Sequence, residues 1–170
     1  TADVPTAIRL RASTTEVQFC DRIQGLVRQT RRDEPVLKRR DGLYGYTLAV
    51  VIDDMDQGIT EVVRGADLLP ATVAQVHLMQ ALGHSPPRYA HLPLVIQSDG
   101  RKLSKQNHAP AIDAKQATHL LNAALRALGQ LTWDTDDTAE LLNFAVTHWQ
   151  LERVGKTPIP VNAGLCTPSN

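Results

Sequence analysis

The chain has 170 residues and a mass of 18.7 kDa, with 42% hydrophobic and 21% charged residues, which is ordinary globular composition and excludes a disordered or collagen-like chain. Eighteen lysines and arginines balance eighteen aspartates and glutamates, which excludes a strongly basic nucleic-acid coat and a polybasic membrane binder. Two distant cysteines, Cys20 and Cys166, form no CxxC pair, and no apolar run reaches the roughly 20 residues of a membrane span. We therefore expect a cytoplasmic protein with reduced thiols and no membrane partner.

The first half of the chain is predicted to be rich in strands. Alternating apolar and polar side chains indicate strands at residues 7–11 and 17–20. The β-branched run at residues 48–52 predicts a strand that is buried on both faces, and residues 59–63 predict the next strand.

A crossover helix and a further strand are predicted to follow. The helix begins near Pro70, since proline is tolerated in a first turn, and it ends before Gly83. Residues 92–96 predict a strand that turns at Asp99 and Gly100. The order strand, strand, helix, strand predicts an α/β fold with a partly parallel sheet.

Residues beyond 112 are predicted to be helical. Asp113 resembles a capping residue, and Gly129 supplies a helix stop. Acidic residues favour the start of a second helix, whose predicted inner face is Leu141, Leu142, Ala145 and Trp149. Residues 155–170, which contain three prolines, are predicted to be an irregular tail.

The zero net charge conceals two basic and two acidic segments. Residues 1–45 hold nine basic and six acidic residues, residues 46–87 one and five, residues 88–112 four and one, and residues 113–170 four and six. The first segment contains a cationic run that is a candidate phosphate-binding patch, with a solvated face as the alternative. The run consists of Arg28, Arg31, Arg32, Lys38, Arg39 and Arg40.

The loop at residues 99–106 is a second candidate for phosphate binding. It carries Arg101, Lys102 and Lys105, with Ser104 between the two lysines. Lysine ammonium groups suit phosphate oxygens, and a serine hydroxyl adds a further donor. The alternative is a solvated loop, since the chain has neither a Walker-type loop nor a GxGxxG motif.

Tyr46 and Arg64 are candidates for a ligand site at the ends of neighbouring strands. In this prediction Tyr46 opens the buried strand and Arg64 closes the next one, so both face a crevice at the sheet edge. A guanidinium there can clamp a carboxylate with two parallel hydrogen bonds. The alternative is a surface arginine that is paired with Asp67 or Glu61.

These features occur in an order that resembles the second half of the catalytic domain of class I glutamyl-type aminoacyl-tRNA synthetases. The resembling blocks are YTLAVVIDD from Tyr46, GITEVVRGADLL from Gly58, HLPL from His91 and DGRKLSK from Asp99. The KLSK segment is similar to the KMSKS signature of class I synthetases. Several blocks in the right order make this resemblance more specific than any one of them alone.

Within that family the chain resembles the glutamyl-queuosine tRNA(Asp) synthetases. After the lysine loop it continues as KQNHAPA from Lys105, where ordinary glutamyl-tRNA synthetases usually continue into Arg-His-Gly. Only 65 residues follow Lys105. That length suits a short helical stem-contact unit and is too short for anticodon-binding domains.

The resemblance implies a glutamate-activating ligase. Glutamate and ATP with Mg²⁺ would form glutamyl-adenylate and pyrophosphate, and the glutamate would then pass to queuosine in the anticodon of tRNA(Asp). The resemblance implies that Arg64 holds a carboxylate of glutamate and that Tyr46 lines the same pocket. It implies that Lys105 is catalytic, because it would stabilise charge on the phosphates. The implied ATP-binding residues are Lys102, Leu103, Ser104, Lys105 and Gln106.

The resemblance also implies how the chain is organised. Residues 1–45 would end an inserted acceptor-binding subdomain, residues 46–112 would form the second half of a Rossmann-like catalytic domain, residues 113–154 a helical stem-contact unit, and residues 155–170 the tail. The parent enzyme would be a monomer, and any zinc ion in it would use ligands outside this segment.

Several alternatives remain open. No HIGH-type motif occurs, so the 170-residue segment alone is predicted to be inactive. The parent could instead be a truncated ordinary glutamyl-tRNA synthetase that charges tRNA(Glu). The segment could also be an RNA-binding fragment without activity of its own.

Overall fold

The computed structural model describes residues 6–11, 16–30, 34–104 and 111–161. Within those ranges no helix is both long enough and apolar enough to cross a membrane.

The chain divides into two compact units, residues 1–91 and residues 92–170. This division falls inside the segment 46–112, which the resemblance assigns to one half of a catalytic domain. The functional boundaries drawn from the sequence stay predictions.

The first unit combines short strands with two helices. In chain order its elements are β1 (Ile8–Arg9), β2 (Glu16–Asp21), β3 (Gly25–Thr30), β4 (Val36–Lys38), α1 (Tyr46–Asp56), β5 (Glu61–Gly65), α2 (Leu69–Ala81) and β6 (Arg88–Leu92). Four strands form a sheet in the order β3-β2-β6-β5, in which β2 is antiparallel to β3 and parallel to β6. The predicted α/β fold with a partly parallel sheet is confirmed.

The core of this unit lies between β2 and α2. Along β2 the exposed and buried side chains alternate strictly, as the two-residue period of a strand requires. Val17 and Phe19 from β2 pack with Val73 and Val76 of α2 and with Tyr89 of β6. The helix begins with a proline in its first turn, as predicted. The packing of Val73 and Val76 on the strands holds the helix over the sheet.

The predicted buried strand at residues 48–52 is wrong, because this segment lies inside helix α1. Leu48, Val51 and Met55 recur at helical spacing, and they pack with Leu78 and Met79 of α2. Val51 is fully buried in that contact. Packing against α2 therefore outweighs the preference of β-branched residues for strands.

Two other strand predictions are displaced. The strand expected at residues 59–63 is β5, which begins two residues later. The strand expected at residues 92–96 is divided between β6 and a short strand, β7 (Val95–Ile96), with Pro93 between them. Proline has no N–H for a strand ladder, which accounts for the interruption.

The second unit contains β7, α3 (Ala117–Ala127), α4 (Thr138–His148) and β8 (Ile159–Pro160). The two helices confirm the predicted helical region. The tail is not irregular throughout, since β8 pairs in parallel with β7; residues 162–170 lie outside the described ranges.

The predicted inner face of α4 is only partly correct. Leu141 is fully buried, but 47% of Leu142 is exposed. Trp149 is also partly exposed, and it lies one residue beyond the end of α4. A helix packed on one neighbour buries a narrower stripe than the prediction assumed.

Candidate functional site

Arg64 lies on β5, where three side chains from α2 and β6 hold its guanidinium. Its Nε donates to Nε2 of His91 at 3.3 Å, and its Nη2 donates to Oε1 of Gln75 at 2.6 Å and to the hydroxyl of Thr72. Thr72, Gln75 and His91 are each at most 1% exposed. Arg64 is therefore a fixed cation at the edge of a buried polar network.

The network continues from His91 to a buried carboxylate. Nδ1 of His91 lies 2.6 Å from Oδ2 of Asp21, the last residue of β2. The other oxygen, Oδ1, accepts backbone N–H bonds from Ile23 at 2.9 Å, from Gln24 at 2.8 Å and from His91 at 3.2 Å. Burial raises the pKa of Asp21, but these bonds outweigh it and hold the pKa below its usual value. The carboxylate is therefore ionised at neutral pH.

Two buried polar groups beside Arg64 have no hydrogen-bond partner among the described residues. They are the hydroxyl of Tyr89 and Nε2 of Gln75. The ring of Tyr89 lies under the guanidinium, with 5.7 Å between the ring centre and Cζ of Arg64. A buried polar group without a partner costs roughly 1–3 kcal/mol. A polar ligand that supplied those hydrogen-bond partners would remove this cost and would gain the same amount in binding free energy.

Burial and nearby charges shift the pKa of two side chains close to Arg64, Tyr89 and Asp54. Burial raises the pKa of Tyr89 to about 12, with the positive charge of Arg64 opposing the rise and Asp54 adding to it. Burial also raises the pKa of Asp54, again against the attraction of Arg64 and with the help of Asp53. Arg64 is thus the local positive charge that an anionic ligand would meet.

The structure brings only one of the two predicted strand-end residues into this network. Arg64 is there, but Tyr46 is the first residue of α1 rather than of a strand, and it is 55% exposed. The alternative of a surface arginine paired with Glu61 is not realised, because Glu61 forms ion pairs with Arg22 and Arg88.

The expected bidentate hydrogen bonding of Arg64 to a carboxylate is not available in this structure. An arginine has five N–H donors. Nε and both hydrogens of Nη2 are already directed at His91, Gln75 and Thr72. Only Nη1 has no acceptor among the residues that the structure describes, so a carboxylate would meet Arg64 through that one nitrogen.

The other members of the network are not predicted from the sequence. Thr72 and Gln75 stand three residues apart on the apolar helix α2, which is the one local signal of a polar face turned inward. No prediction is made for Asp21, and His91 begins the HLPL block that resembles the family without a role being assigned to it. Their juxtaposition depends on strand pairing, which no local pattern encodes.

The lysine loop lies in the second unit, and it is described as far as Ser104. The N–H of Leu103 donates to the carbonyl of Val95, and Lys102 pairs as an antiparallel bridge with Ile96, so the loop folds back on β7. Gly100 takes the positive φ of 81° that this turn requires. Lys105 and Gln106 lie outside the described residues.

Part of the predicted positive charge is neutralised within the chain. Nε of Arg101 donates to Asp99 at 2.7 Å, so this residue is less available to phosphate than the sequence suggests. In the first unit Arg39 pairs with Asp41, also at 2.7 Å. Arg31 and Arg32 lie outside the described ranges.

The described residues do not by themselves form a metal centre. In those ranges no three His, Cys, Asp or Glu side chains cluster as metal ligands do, and Cys20 is exposed on β2.

Comparison with known proteins relates this chain to one family. The sequence profile for tRNA synthetases class I (E and Q), catalytic domain, matches residues 1–154. A Pseudomonas aeruginosa protein named glutamyl-Q tRNA(Asp) synthetase is 49% identical over 154 residues, which cover 87% of this chain and 53% of that protein. A protein of the same name from Pseudomonas putida strain W619 is 48% identical over 161 residues, which cover 91% and 55%. The chain spans about half the length of these curated relatives.

Two solved structures with a similar fold are named as a glutamate–tRNA ligase and a glutamate–tRNA synthetase. The crystal structure of the Elizabethkingia meningosepticum enzyme in complex with its amino acid has a TM-score of 0.70 at 26% identity, covering 92% of this chain and 36% of that one. The Elizabethkingia anophelis enzyme has a TM-score of 0.68 at 27% identity. The partial Rossmann-like α/β fold expected from the sequence is confirmed. With the profile matching most of its length, the chain belongs to the class I tRNA synthetases of the E and Q type.

Proposed function

We propose that this chain is part of an enzyme that activates glutamate with ATP and transfers it to queuosine in the anticodon of tRNA(Asp). The observation that carries the proposal is the fixed guanidinium of Arg64, a site for an anionic amino acid in a family of glutamate- and glutamine-type synthetases. The names of the relatives at 48–49% identity support queuosine in tRNA(Asp) as the acceptor.

The proposed reaction has two steps. A carboxylate oxygen of glutamate attacks the α-phosphorus of ATP, and pyrophosphate leaves as the adenylate forms. A hydroxyl of the queuosine cyclopentene ring then attacks the acyl carbon and loses its proton, and AMP leaves. The enzyme would work in the cytoplasm as a monomer.

Each proposed site residue has a defined role in this reaction. Arg64 holds a carboxylate of glutamate through Nη1, and Tyr46, half exposed at the start of α1, lines the pocket. Lys102, Leu103, Ser104, Lys105 and Gln106 bind ATP, which enters as its complex with Mg²⁺. Lys105 stabilises the charge that develops on the phosphates.

The test uses the complete polypeptide in two assays. Glutamate-dependent exchange of pyrophosphate into ATP without tRNA is expected, and its absence with and without tRNA would contradict the proposal. Labelled glutamate is then offered to tRNA(Asp) that contains queuosine and to tRNA(Glu). Label on queuosine is expected, whereas label on the 3′ end of tRNA(Glu) would favour an ordinary glutamyl-tRNA synthetase, the activity named for the similar solved structures.

The 170-residue segment on its own is proposed to be inactive, because its sequence has no HIGH-type motif. Pyrophosphate exchange by the purified segment would overturn this. Salt-dependent tRNA binding by the segment without exchange would instead fit an RNA-binding fragment.

A further inference from the structure

We propose that Asp21 and His91 are positioning residues, which hold the guanidinium of Arg64 in the one orientation that presents Nη1 to the carboxylate of glutamate. This inference rests on the proposed function. It concerns two residues that the reaction does not otherwise use, both of them fully buried.

The groups on either side determine the tautomer of His91. An ionised carboxylate only accepts hydrogen bonds, so the Nδ1 that lies 2.6 Å from Asp21 carries the proton. A guanidinium only donates, so the Nε2 that lies 3.3 Å from Nε of Arg64 carries a lone pair. The hydroxyl of Thr72 lies 2.8 Å from the same Nε2, and a hydroxyl can donate to that lone pair. His91 is therefore a neutral ring that links an anion to a cation without direct contact between them.

This link ties Arg64 to the backbone of the sheet. Asp21 cannot turn freely, because Oδ1 receives three backbone N–H bonds from the β2–β3 turn and from β6. Its position passes through His91 to Nε of Arg64, while Thr72 and Gln75 hold Nη2. Rotating the guanidinium to offer a different edge would break these bonds together. Second-layer partners of this kind orient the groups that touch a ligand.

Two variants of His91 distinguish a positioning role from a purely structural role, because each keeps one of its two hydrogen bonds and loses the other. Asparagine places an amide N–H where Nδ1 is, so His91→Asn keeps the bond to Asp21 and loses the acceptor for Arg64. Glutamine places an amide oxygen where Nε2 is, so His91→Gln keeps that acceptor and loses the bond to Asp21. Positioning requires the acceptor, whereas packing and burial of the carboxylate require the donor.

Pyrophosphate exchange by the complete polypeptide provides the functional test. Positioning predicts that His91→Asn raises the KM for glutamate by roughly 10-fold or more, the value of one hydrogen bond to a charged group. The KM for ATP should not change. His91→Gln should keep a glutamate KM near that of the parent. Val17→Ala, a buried β2 change that alters only packing, controls for lost stability. A glutamate KM that is unchanged in His91→Asn, or raised equally in His91→Gln, overturns the inference.

A second readout needs no activity, and its first part, the protonation of His91, needs no variant. Nitrogen-15 NMR of the unmodified polypeptide at neutral pH should show His91 protonated at Nδ1 and not at Nε2. The Nε–H of Arg64 should exchange slowly with solvent, and roughly 10-fold faster in His91→Asn than in His91→Gln. A proton on Nε2 overturns the inference. If the parent polypeptide shows no exchange activity, the proposed function fails, and this NMR result alone decides whether Asp21 and His91 position Arg64.

Discussion

Gly45 approaches β4 so closely that a Cβ on it would lie 2.1 Å from the carbonyl oxygen of Val36. The N–H of Gly45 also donates to the carbonyl of Leu37 at 2.8 Å. Because Gly45 is the N-cap of α1, this contact sets where the helix begins and where Tyr46 lies. The absence of a side chain at Gly45 thus determines the position of Tyr46, a proposed substrate-binding residue.

Gly45→Ala is expected to lower the free energy of unfolding by about 1–3 kcal/mol, the usual cost of forcing an extra carbon into a packed contact. Urea unfolding of the two proteins measures the difference. Gly155→Ala is the matched control, since a Cβ there meets nothing within 4 Å. Equal stability of the two variants would contradict the close approach.

Three of the four α-helices that the structure describes end at a glycine, and two of these ends are predictable from the sequence. After α1, α2 and α3 the chain reverses through a glycine with positive φ, and the next N–H donates back to the third residue from the helix end. From sequence, Gly83 and Gly129 are recognisable as such stops. Gly58 suggests a turn between strands instead, because the run before it is β-branched and the packing of that run on α2 is not visible locally.

The candidate site was predictable at Arg64 but not around it. Asp21 and His91 are 70 residues apart in the chain. They become neighbours because β2 pairs in parallel with β6, where Asp21 stands opposite Tyr89. Register of this kind depends on the whole sheet, so the sequence indicates a cation for a carboxylate but not the residues that hold it.

Asp21→Asn is expected to destabilise the fold by about 1–3 kcal/mol at neutral pH, because an amide N–H would face the N–H of His91. The pKa of Asp21 is lowered from 3.8 in the folded protein. The unfolded state therefore binds the proton first, so this stabilisation is present above pH 3.8 and is lost as the pH falls through the lower folded pKa. Denaturant unfolding at about pH 6 and about pH 3 should show the two proteins converging in acid. A constant difference between them would contradict this.

Asp137 caps α4, since its Oδ1 accepts from the N–H groups of Ala139 at 2.7 Å and Glu140 at 3.2 Å. Asp137→Ala is expected to cost about 0.5–2 kcal/mol, because two helical N–H groups lose their acceptor. Thermal unfolding with Asp136→Ala as the neighbouring control measures the effect. An equal shift in both variants would point to lost surface charge rather than a lost cap.

Lys105→Ala tests the proposed role of the lysine loop in the complete polypeptide. The kcat for pyrophosphate exchange is expected to fall by roughly 100- to 1,000-fold with little change in the KM for glutamate, since the ammonium would act on charge that develops in the transition state. Lys115→Ala, a change on an exposed turn before α3, is the control for lost positive charge. A rise in the glutamate KM with an unchanged kcat would assign Lys105 to substrate binding instead.

Tyr89 should make the fold sensitive to alkali. Its pKa rises from 10.0 to about 12 on folding, chiefly because burial disfavours the phenolate. As the pH rises, the Tyr89 hydroxyl loses its proton in the unfolded chain before it does so in the folded protein. The free energy of unfolding therefore keeps its full value below pH 10 and falls between pH 10 and about pH 12, by roughly 2–3 kcal/mol in all. Tyr89→Phe keeps the ring under Arg64 and removes the titrating group. Urea unfolding at about pH 9 and about pH 11.5 should show the larger loss in the parent protein. An equal loss in both proteins would mean that the Tyr89 hydroxyl ionises without hindrance in the folded state.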